Sequence, residues 1–171
     1  MALPGKLKQF NIFVDGVSMI GVAEELTLPK FTRKTQTYRG GGMLASVDVD
    51  LGFDDGALDM DITVGGIAVG LLGKMGTDTA DGMQLRFAGA YQDDSTAGIV
   101  TCEIQTRGRF TETDWGTAKV GDDTSHKYTL KNTYCKVTVN NVVVLEVDAL
   151  NFIHVVNGVD KAAAMRKALG L

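Results

Sequence analysis

The sequence has few of the residues that a protein held together by disulfides or metals needs, and no long apolar run of the kind a membrane protein needs. It has two cysteines, two prolines and two histidines among 171 residues, and no run approaches the roughly 18 apolar residues of a membrane-spanning helix. Cys102 and Cys135 both lie in strand-like runs, which predicts half-buried free thiols in a reducing compartment. The opening stretch MALPGKLKQFNIF has no apolar core of the kind found in signal peptides. We therefore expect synthesis in the cytoplasm.

Positive charge is also scarce. The chain has 17 Lys and Arg against 21 Asp and Glu, a net charge of -4. A protein that grips nucleic acid neutralises phosphates and is usually basic on at least one face. Here the basic runs are short and interrupted, which argues against a protein that grips DNA. Passive contact with DNA stays compatible with the composition, because like charges repel and keep a surface from adhering.

Catalytic and ligand-binding motifs are missing from the sequence. The segment GGIAVGLLGKM lacks a phosphate-binding loop, since Ala68 replaces its first glycine and Met75 its hydroxyl residue. His126 and His154 stand alone, without cysteines or acids at ligand spacing. The acids of Asp48–Asp55 do not follow the order of a calcium-binding EF-hand loop. We predict a protein that is not an enzyme and has no cofactor and no metal site.

What the sequence does contain is alternation of apolar and polar residues, with 21 glycines for tight turns. Asp15-Gly16 and Asn140-Asn141 predict two-residue hairpin turns. About eight strands are expected, together with a short helix over GGIAVGLLGKMG and a C-terminal helix capped by Asp160. This order predicts one mainly β domain over residues 1–171, an antiparallel β-sandwich or partly closed barrel with helices at its edge.

One strand in this pattern is predicted to change its phase. The apolar positions of SHKYTLKNTYCKVTV shift between Leu130 and Cys135. A strand whose apolar residues change phase needs one extra residue if both parts are to face the same core. We therefore predict a β-bulge or a strong twist between these two residues.

The stretch YRGGGM separates two segments of opposite charge. Lys30 to Arg39 contains four bases and no acid, whereas Val47 to Asp61 contains six acids and no base. The basic side, FTRKTQTYR, is nearly all polar after Phe31 and buries little by itself. We predict an extended arm at about residues 30–46, exposed or lying against another chain.

The acidic side alternates in period two. Apolar Val47, Val49, Leu51, Leu58, Met60 and Ile62 alternate with Asp48, Asp50, Asp59 and Asp61. Such alternation predicts one buried face and one wet face. The four aspartates are therefore expected on a solvated face.

Four segments together resemble one protein family. They are the hairpin NIFVDGVSMIGV, the following LTLPKFTRKTQTYRGGGM, the central IQTRGRFTETDWGTAKVGD and the C-terminal LNFIHVVNGVDKAAAMRKALGL. They are similar to the major tail tube proteins of contractile-tailed bacteriophages, and the similarity runs over nearly the full chain. Tube proteins of R-type pyocins, which are headless tails, are also similar and are not separated from phage proteins by these residues.

The resemblance implies a structural subunit. Six copies would form a ring whose strands join edge to edge into one inner barrel. Stacked rings would form a hollow tube. The partners of the chain would be further copies of itself, the tail sheath protein, the tape-measure protein and the baseplate and tail terminator proteins. DNA would pass through the bore without specific binding. The chain would reside in the virion tail and assemble in the cytoplasm of the bacterial host.

The resemblance also assigns roles to residues. It implies an inter-ring arm made of Thr32, Arg33, Lys34, Tyr38, Arg39, Gly40, Gly41, Gly42 and Met43. The aspartates Asp48, Asp50, Asp59 and Asp61 are predicted to face the bore, because no Lys or Arg alternates with them and carboxylates repel phosphate. Two alternatives stay open: a tube component of a type VI secretion system that carries protein cargo, and a small ligand-binding β-sandwich.

Overall fold

Twelve strands and two short helices make up a computed structural model that describes residues 3–171. The strands are β1 (Lys6–Val14), β2 (Val17–Ser18), β3 (Ala23–Thr27), β4 (Arg33–Tyr38), β5 (Val47–Phe53), β6 (Met60–Val64), β7 (Met83–Gln92), β8 (Ile99–Asp114), β9 (His126–Val139), β10 (Val142–Asp148), β11 (Ile153–Val156) and β12 (Val159–Asp160). The helices are α1 (Val69–Leu72) and α2 (Ala163–Ala168). The predicted mainly β class is confirmed, and the excess over eight strands includes the two-residue strands β2 and β12.

All strands pair antiparallel, in two separate sheets. The first sheet has ten strands, with β12-β11-β10-β9-β8-β7-β1-β2 as its main path and β3-β6 attached through β9. Along one edge β9 pairs with β8, while its other edge pairs first with β6 and then with β10. The sheet divides at β9, and its two end strands, β12 and β2, do not pair with each other. The second sheet contains only β4 and β5.

The predicted bulge in β9 is confirmed. Arg107 pairs with Tyr134 and the next residue, Gly108, pairs with Asn132, so Thr133 is the extra residue. The insertion allows Leu130 and Cys135, whose positions differ by an odd number, both to be fully buried. Both parts of this long strand thus face the same core.

The two predicted hairpin turns are confirmed as well. Asp15 and Gly16 have φ of 47° and 81°, and Asn140 and Asn141 have φ of 48° and 64°. Positive φ at both central residues matches the twist of the flanking strands. These turns fix the register of β1 with β2 and of β9 with β10.

The core lies on one face of the central strands and consists of two clusters. The larger one contains Ile12, Val14, Met60, Ile62, Val64, Ala68, Leu71, Met83, Leu85, Phe110, Tyr128 and Leu130. The smaller one contains Leu58, Phe87, Ile104, Cys135 and Val147. Both cysteines are free, as predicted, and burial raises the pKa of Cys135 to about 12. A thiol with so high a pKa stays protonated and packs as a small apolar side chain.

The helices differ from the prediction in two respects. Only Val69–Leu72 of the glycine-rich segment is helical; Leu71 is buried, whereas Ile67 is exposed. Asp160 is not the N-cap of α2, because it pairs with Val155 in β12 and leaves Ala162 in the cap position. None of the helices in the described part of the chain is long and apolar enough to cross a membrane.

The Asp160 carboxylate nevertheless anchors the C-terminal helix. It accepts hydrogen bonds from the Ala162 N–H at 2.9 Å and from the Arg166 guanidinium at 2.7 Å. Arg166 also donates to the Phe152 carbonyl oxygen at 3.0 Å. The hydrogen bond from Arg166 lowers the pKa of Asp160, so this anchor is present at neutral pH.

Candidate assembly surfaces

The second sheet is a hairpin that projects from the main sheet. Every residue of β4 is exposed, and β4 pairs with β5 from Arg33↔Phe53 to Tyr38↔Val47. At its base the Asp54 N–H donates to the Thr32 carbonyl oxygen at 2.9 Å, and the Phe31 N–H donates to the Ala57 carbonyl oxygen at 3.0 Å. We call this hairpin, residues 33–53, the arm. It reaches past the predicted segment of about 30–46, because the acidic stretch supplies its second strand.

One ion pair joins the two oppositely charged strands on either side of the three glycines. The Arg33 guanidinium pairs with the Asp50 carboxylate at 2.6 Å and lies 4.8 Å from the centroid of the Phe53 ring. Thr37 donates to the Asp48 carboxylate at 2.7 Å. Cross-strand pairs of this kind specify which residues of a hairpin lie opposite each other. The basic segment and the first part of the acidic segment, up to Phe53, supply the two strands of one arm.

The tip of the arm is a folded turn. The Met43 N–H donates to the Gly40 carbonyl oxygen at 3.3 Å, and the Arg39 guanidinium donates to the Leu44 carbonyl oxygen at 3.4 Å. Among the three glycines only Gly42 has a positive φ, of 84°. These contacts hold Leu44 with its side chain 99% exposed. Leu44 therefore adds apolar surface at the tip that contact with another chain could remove from water.

The four aspartates do not form one cation-free face. Asp48 and Asp50 lie on β5 of the arm, whereas Asp61 lies on β6 of the main sheet. Lys131 pairs with Asp59, and Lys127 pairs with Asp61 at 3.2 Å. The prediction that no base accompanies these acids is therefore wrong, because β9 supplies Lys127 and Lys131 from outside residues 47–62.

The alternation itself is confirmed only in part. Leu58, Met60 and Ile62 are buried, as predicted. Val47, Val49 and Leu51 are all exposed, because the arm has no second layer packed on it. Period two therefore predicted the strand correctly but not which surface covers its apolar side.

A polar face on the main sheet was not anticipated from the sequence. Arg86, Gln105, Lys136 and Glu146 occupy paired positions across four neighbouring strands. Glu103 joins them, accepting from Gln105 at 2.6 Å and from Arg86 at 3.5 Å. The signal was present in QLRF and CEIQTRG, whose polar residues alternate with the buried ones, but only the register shows that they align.

The rim of the main sheet is also left open. One edge of β1 pairs with β7 along its length, and the other edge pairs with β2 only at Phe13 and Val14. Within the described residues, this second edge has no neighbouring strand from Lys6 to Asn11. Apolar side chains exposed elsewhere include Val17, Ile20, Ile67, Val69, Met165, Leu169 and Leu171. The unpaired edge is a surface that a strand of a second chain can cover.

The isolated histidines have packing roles. His126 is buried, with its ring centroid 4.8 Å from that of Trp115. His154 packs edge-on against Phe53 at 5.1 Å, and burial lowers its pKa. Within residues 3–171 no cluster of three or more His, Cys, Asp or Glu is arranged to hold a metal ion.

Comparisons with known proteins agree with this geometry. The family model of the phage tail tube protein FII matches residues 4–170. The chain is 44% identical to the tail tube protein of Escherichia phage P2 over the whole of both chains. It is 49% identical to the major tail tube protein of Serratia phage KSP20, over 90% of this chain and 88% of that protein.

A solved structure shows the same fold at low sequence identity. A chain in the cryo-EM structure of the anti-feeding prophage baseplate superposes with a TM-score of 0.55 at 10% identity, covering 80% of this chain and 97% of that chain. The family match and the two phage relatives together fix the assignment. The chain belongs to the phage tail tube protein FII family and is a structural component of a phage tail, not an enzyme.

Proposed function

We propose that six copies of this chain close into a ring and that rings stack into a hollow tube, which lies inside a contractile sheath and conducts DNA. The observation that carries the proposal is the arm, an exposed hairpin that is anchored to the core of its own subunit through Phe53 at its base. An isolated two-stranded hairpin is at best marginally stable in water. Contact with another subunit supplies the surface that the arm lacks.

The open β1 edge supports ring formation. An unpaired strand edge is an aggregation hazard in a monomer, and a neighbouring strand removes it. A repeated side-to-side contact that closes by rotation gives a ring, whereas a contact that does not close gives a filament. Six is favoured because the structurally similar chain belongs to a baseplate described as six-fold symmetrised. We infer that the arm supplies the contact that does not close and that stacks one ring on the next.

The proposed partners follow from this arrangement. The outer wall of the tube would contact a tail sheath protein, the bore would hold the tape-measure protein, and the two ends would meet baseplate and tail terminator proteins. Assembly would take place in the host cytoplasm. The type VI secretion-like alternative shares the tube and differs in its cargo.

Electron microscopy of the purified chain tests assembly. We expect tubes of uniform diameter with an empty centre, and six subunits in each end-on view. Light scattering across a concentration series should show cooperative growth. A chain that stays monomeric at millimolar concentration would overturn the proposal, and isolated rings without tubes would limit it to ring closure.

Hydrogen exchange tests the inter-ring role of the arm residues Thr32, Arg33, Lys34, Tyr38, Arg39, Gly40, Gly41, Gly42 and Met43. In the free subunit their amides should exchange rapidly, because a lone strand pair opens easily. In the tube they should become strongly protected. Amides of β8 serve as the control, protected in both states. Equal exchange of the arm in subunit and tube would assign it to the outside of the assembly.

We also propose that Asp48, Asp50, Asp59 and Asp61 face the bore. Asp59, Asp61 and Asp50 each have a cation partner, so repulsion of phosphate rests mainly on Asp48. The polar face of the main sheet is a second candidate, because its two bases, Arg86 and Lys136, are balanced by two acids, Glu103 and Glu146, and the face offers DNA little net attraction.

Two charge changes distinguish the candidate linings. If Asp48 faces the bore, tubes of Asp48→Lys should retain an oligonucleotide at low salt and release it at high salt. If the polar face lines the bore, Gln105→Lys should have that effect instead. Both positions lie outside the core, so both variants should still form tubes. Retention by Gln105→Lys alone would show that the aspartate assignment is wrong.

A further inference from the structure

A cavity of about 820 Å³ lies at the base of the arm. It is bounded by the end of β5, the turn into β6 and the segment that leads into α2. Phe53 and Leu58 line one side, and Phe152, Ile153 and Met165 line the other. Its volume lies in the range of pockets that bind small molecules. The cavity can therefore receive apolar side chains.

The lining of this cavity is acidic. Five aspartates line it, namely Asp50, Asp54, Asp55, Asp59 and Asp148, against the two cations Arg33 and Lys161. Arg33 and Lys131 compensate Asp50 and Asp59. Asp54 and Asp55 take part in no ion pair among residues 3–171. An apolar cavity with uncompensated carboxylates in its lining suits an occupant that combines an apolar side chain with a nearby cation.

The tip of the arm has this chemistry. Leu44 is fully exposed, and the Arg39 guanidinium lies beside it through its bond to the Leu44 carbonyl oxygen. Within the described residues Arg39 has no carboxylate partner. The tip therefore presents an apolar knob with an unpaired positive charge next to it.

The tip does not reach the cavity of its own chain. Arg33 and Phe53 line the cavity, and the ladder continues for five residues to Tyr38 and Val47. At roughly 3.3 Å per residue this places the end of the ladder about 17 Å away, with Leu44 beyond it. Only the tip of another copy has access.

We propose that Leu44 of one copy inserts into the cavity at the arm base of a copy in the adjacent ring, with Arg39 against Asp54 and Asp55. This inference rests on the proposed function and specifies the site that receives the arm. Knob and cavity lie at opposite ends of the arm, so the contact is head-to-tail and leaves a free knob on one end and a free cavity on the other. Such a contact repeats without closing and produces an open filament.

Two complementary variants test the pairing. Leu44→Ser removes the knob and leaves the cavity, whereas Ala149→Trp fills the cavity and leaves the knob. Each variant alone should form rings but no tubes, since a leucine transferred from water to an apolar site changes a contact by about tenfold or more. When preformed rings of the two variants are mixed, the Ala149→Trp knobs fit the Leu44→Ser cavities. The mixture should give ring pairs, and growth should stop there.

Electron microscopy and mass photometry of the mixture supply the readout. Ring pairs in the mixture and single rings in each separate sample support the proposal. Tubes of wild-type length from Leu44→Ser, or no pairing in the mixture, overturn it. Val120→Ser, at an equally exposed valine in the loop before β9, is the control and should leave tube length unchanged. Failure of the wild-type chain to form tubes would count against the proposed function instead.

Charge exchange gives a test that does not depend on filling the cavity. Asp54→Lys with Asp55→Lys should abolish stacking, and adding Arg39→Glu to the same chain should restore it. Circular dichroism should show both chains folded, because these side chains are outside the core. Stacking by the double-lysine chain, or no rescue by the added glutamate, would overturn the assigned contact.

Discussion

Replacing Gly42 by valine is expected to abolish long tubes while the subunit stays folded. Gly42 has a φ of 84°, in a region that β-branched residues essentially avoid. Forcing valine there costs roughly 1–3 kcal/mol, which the tip can relieve by rearranging. Rearrangement breaks the Gly40–Met43 turn and displaces Leu44. We expect unchanged circular dichroism and thermal unfolding, together with at least a tenfold loss of mean tube length.

Gly41 supplies a matched control one residue away. Its φ is not positive, and a Cβ built on it meets no atom within 4 Å. Gly41→Val should therefore assemble nearly as well as the wild type. Equal loss of tubes in both variants would show that general flexibility, and not the conformation of Gly42, is what the tip requires. Normal tubes from Gly42→Val would remove the tip conformation from the explanation of stacking.

Replacing Gly108 by alanine is expected to destabilise the subunit itself. Gly108 is buried in β8 beside the bulge, where a Cβ would collide with the Lys131 carbonyl oxygen and lie 2.8 Å from the Asn132 Cα. Backbone atoms of a central strand pair cannot withdraw as a flexible side chain does. Overpacking of this kind costs about 3 kcal/mol. For a protein of this size the thermal midpoint should fall by roughly 6–12 °C.

Gly70 is the comparison for that experiment. It lies in α1, where an added Cβ would meet no atom within 4 Å, and its φ is not positive. Gly70→Ala should leave the thermal midpoint unchanged or raise it slightly. Alanine restricts the unfolded chain and can add about 0.5–1 kcal/mol to the free energy of unfolding. A midpoint for Gly108→Ala equal to that of Gly70→Ala would show that β8 and β9 tolerate separation at the bulge.

Local sequence rules predicted the local features of the fold. The turns at Asp15-Gly16 and Asn140-Asn141 were predictable because positive φ restricts the residue types that fit. The bulge at Thr133 was predictable because burial on both sides of it requires an extra residue. Both rules act over a few residues and depend little on the rest of the molecule.

Long-range pairing accounts for the features that the sequence did not predict. Lys127 and Lys131 compensate Asp61 and Asp59 from a strand distant in the chain, so alternation within 47–62 could not reveal them. Val49 looked like a core residue, yet no second layer covers the arm. The aligned polar row from Arg86 to Glu146 depends on three registers at once. The resemblance supplied the assembly role, which no single chain displays.

The way the arm joins its subunit has a mechanical consequence. A pull applied at the tip along the arm is shared by β4 and β5, since both strands run from the tip to the base. The hydrogen bonds between them lie across the pull and carry almost none of it. The load passes along two covalent backbones to the base, where Phe31 and Asp54 are tied to the turn that leads into buried β6. Under tension the hairpin acts as a doubled tether whose strength is set by its anchorage in the core.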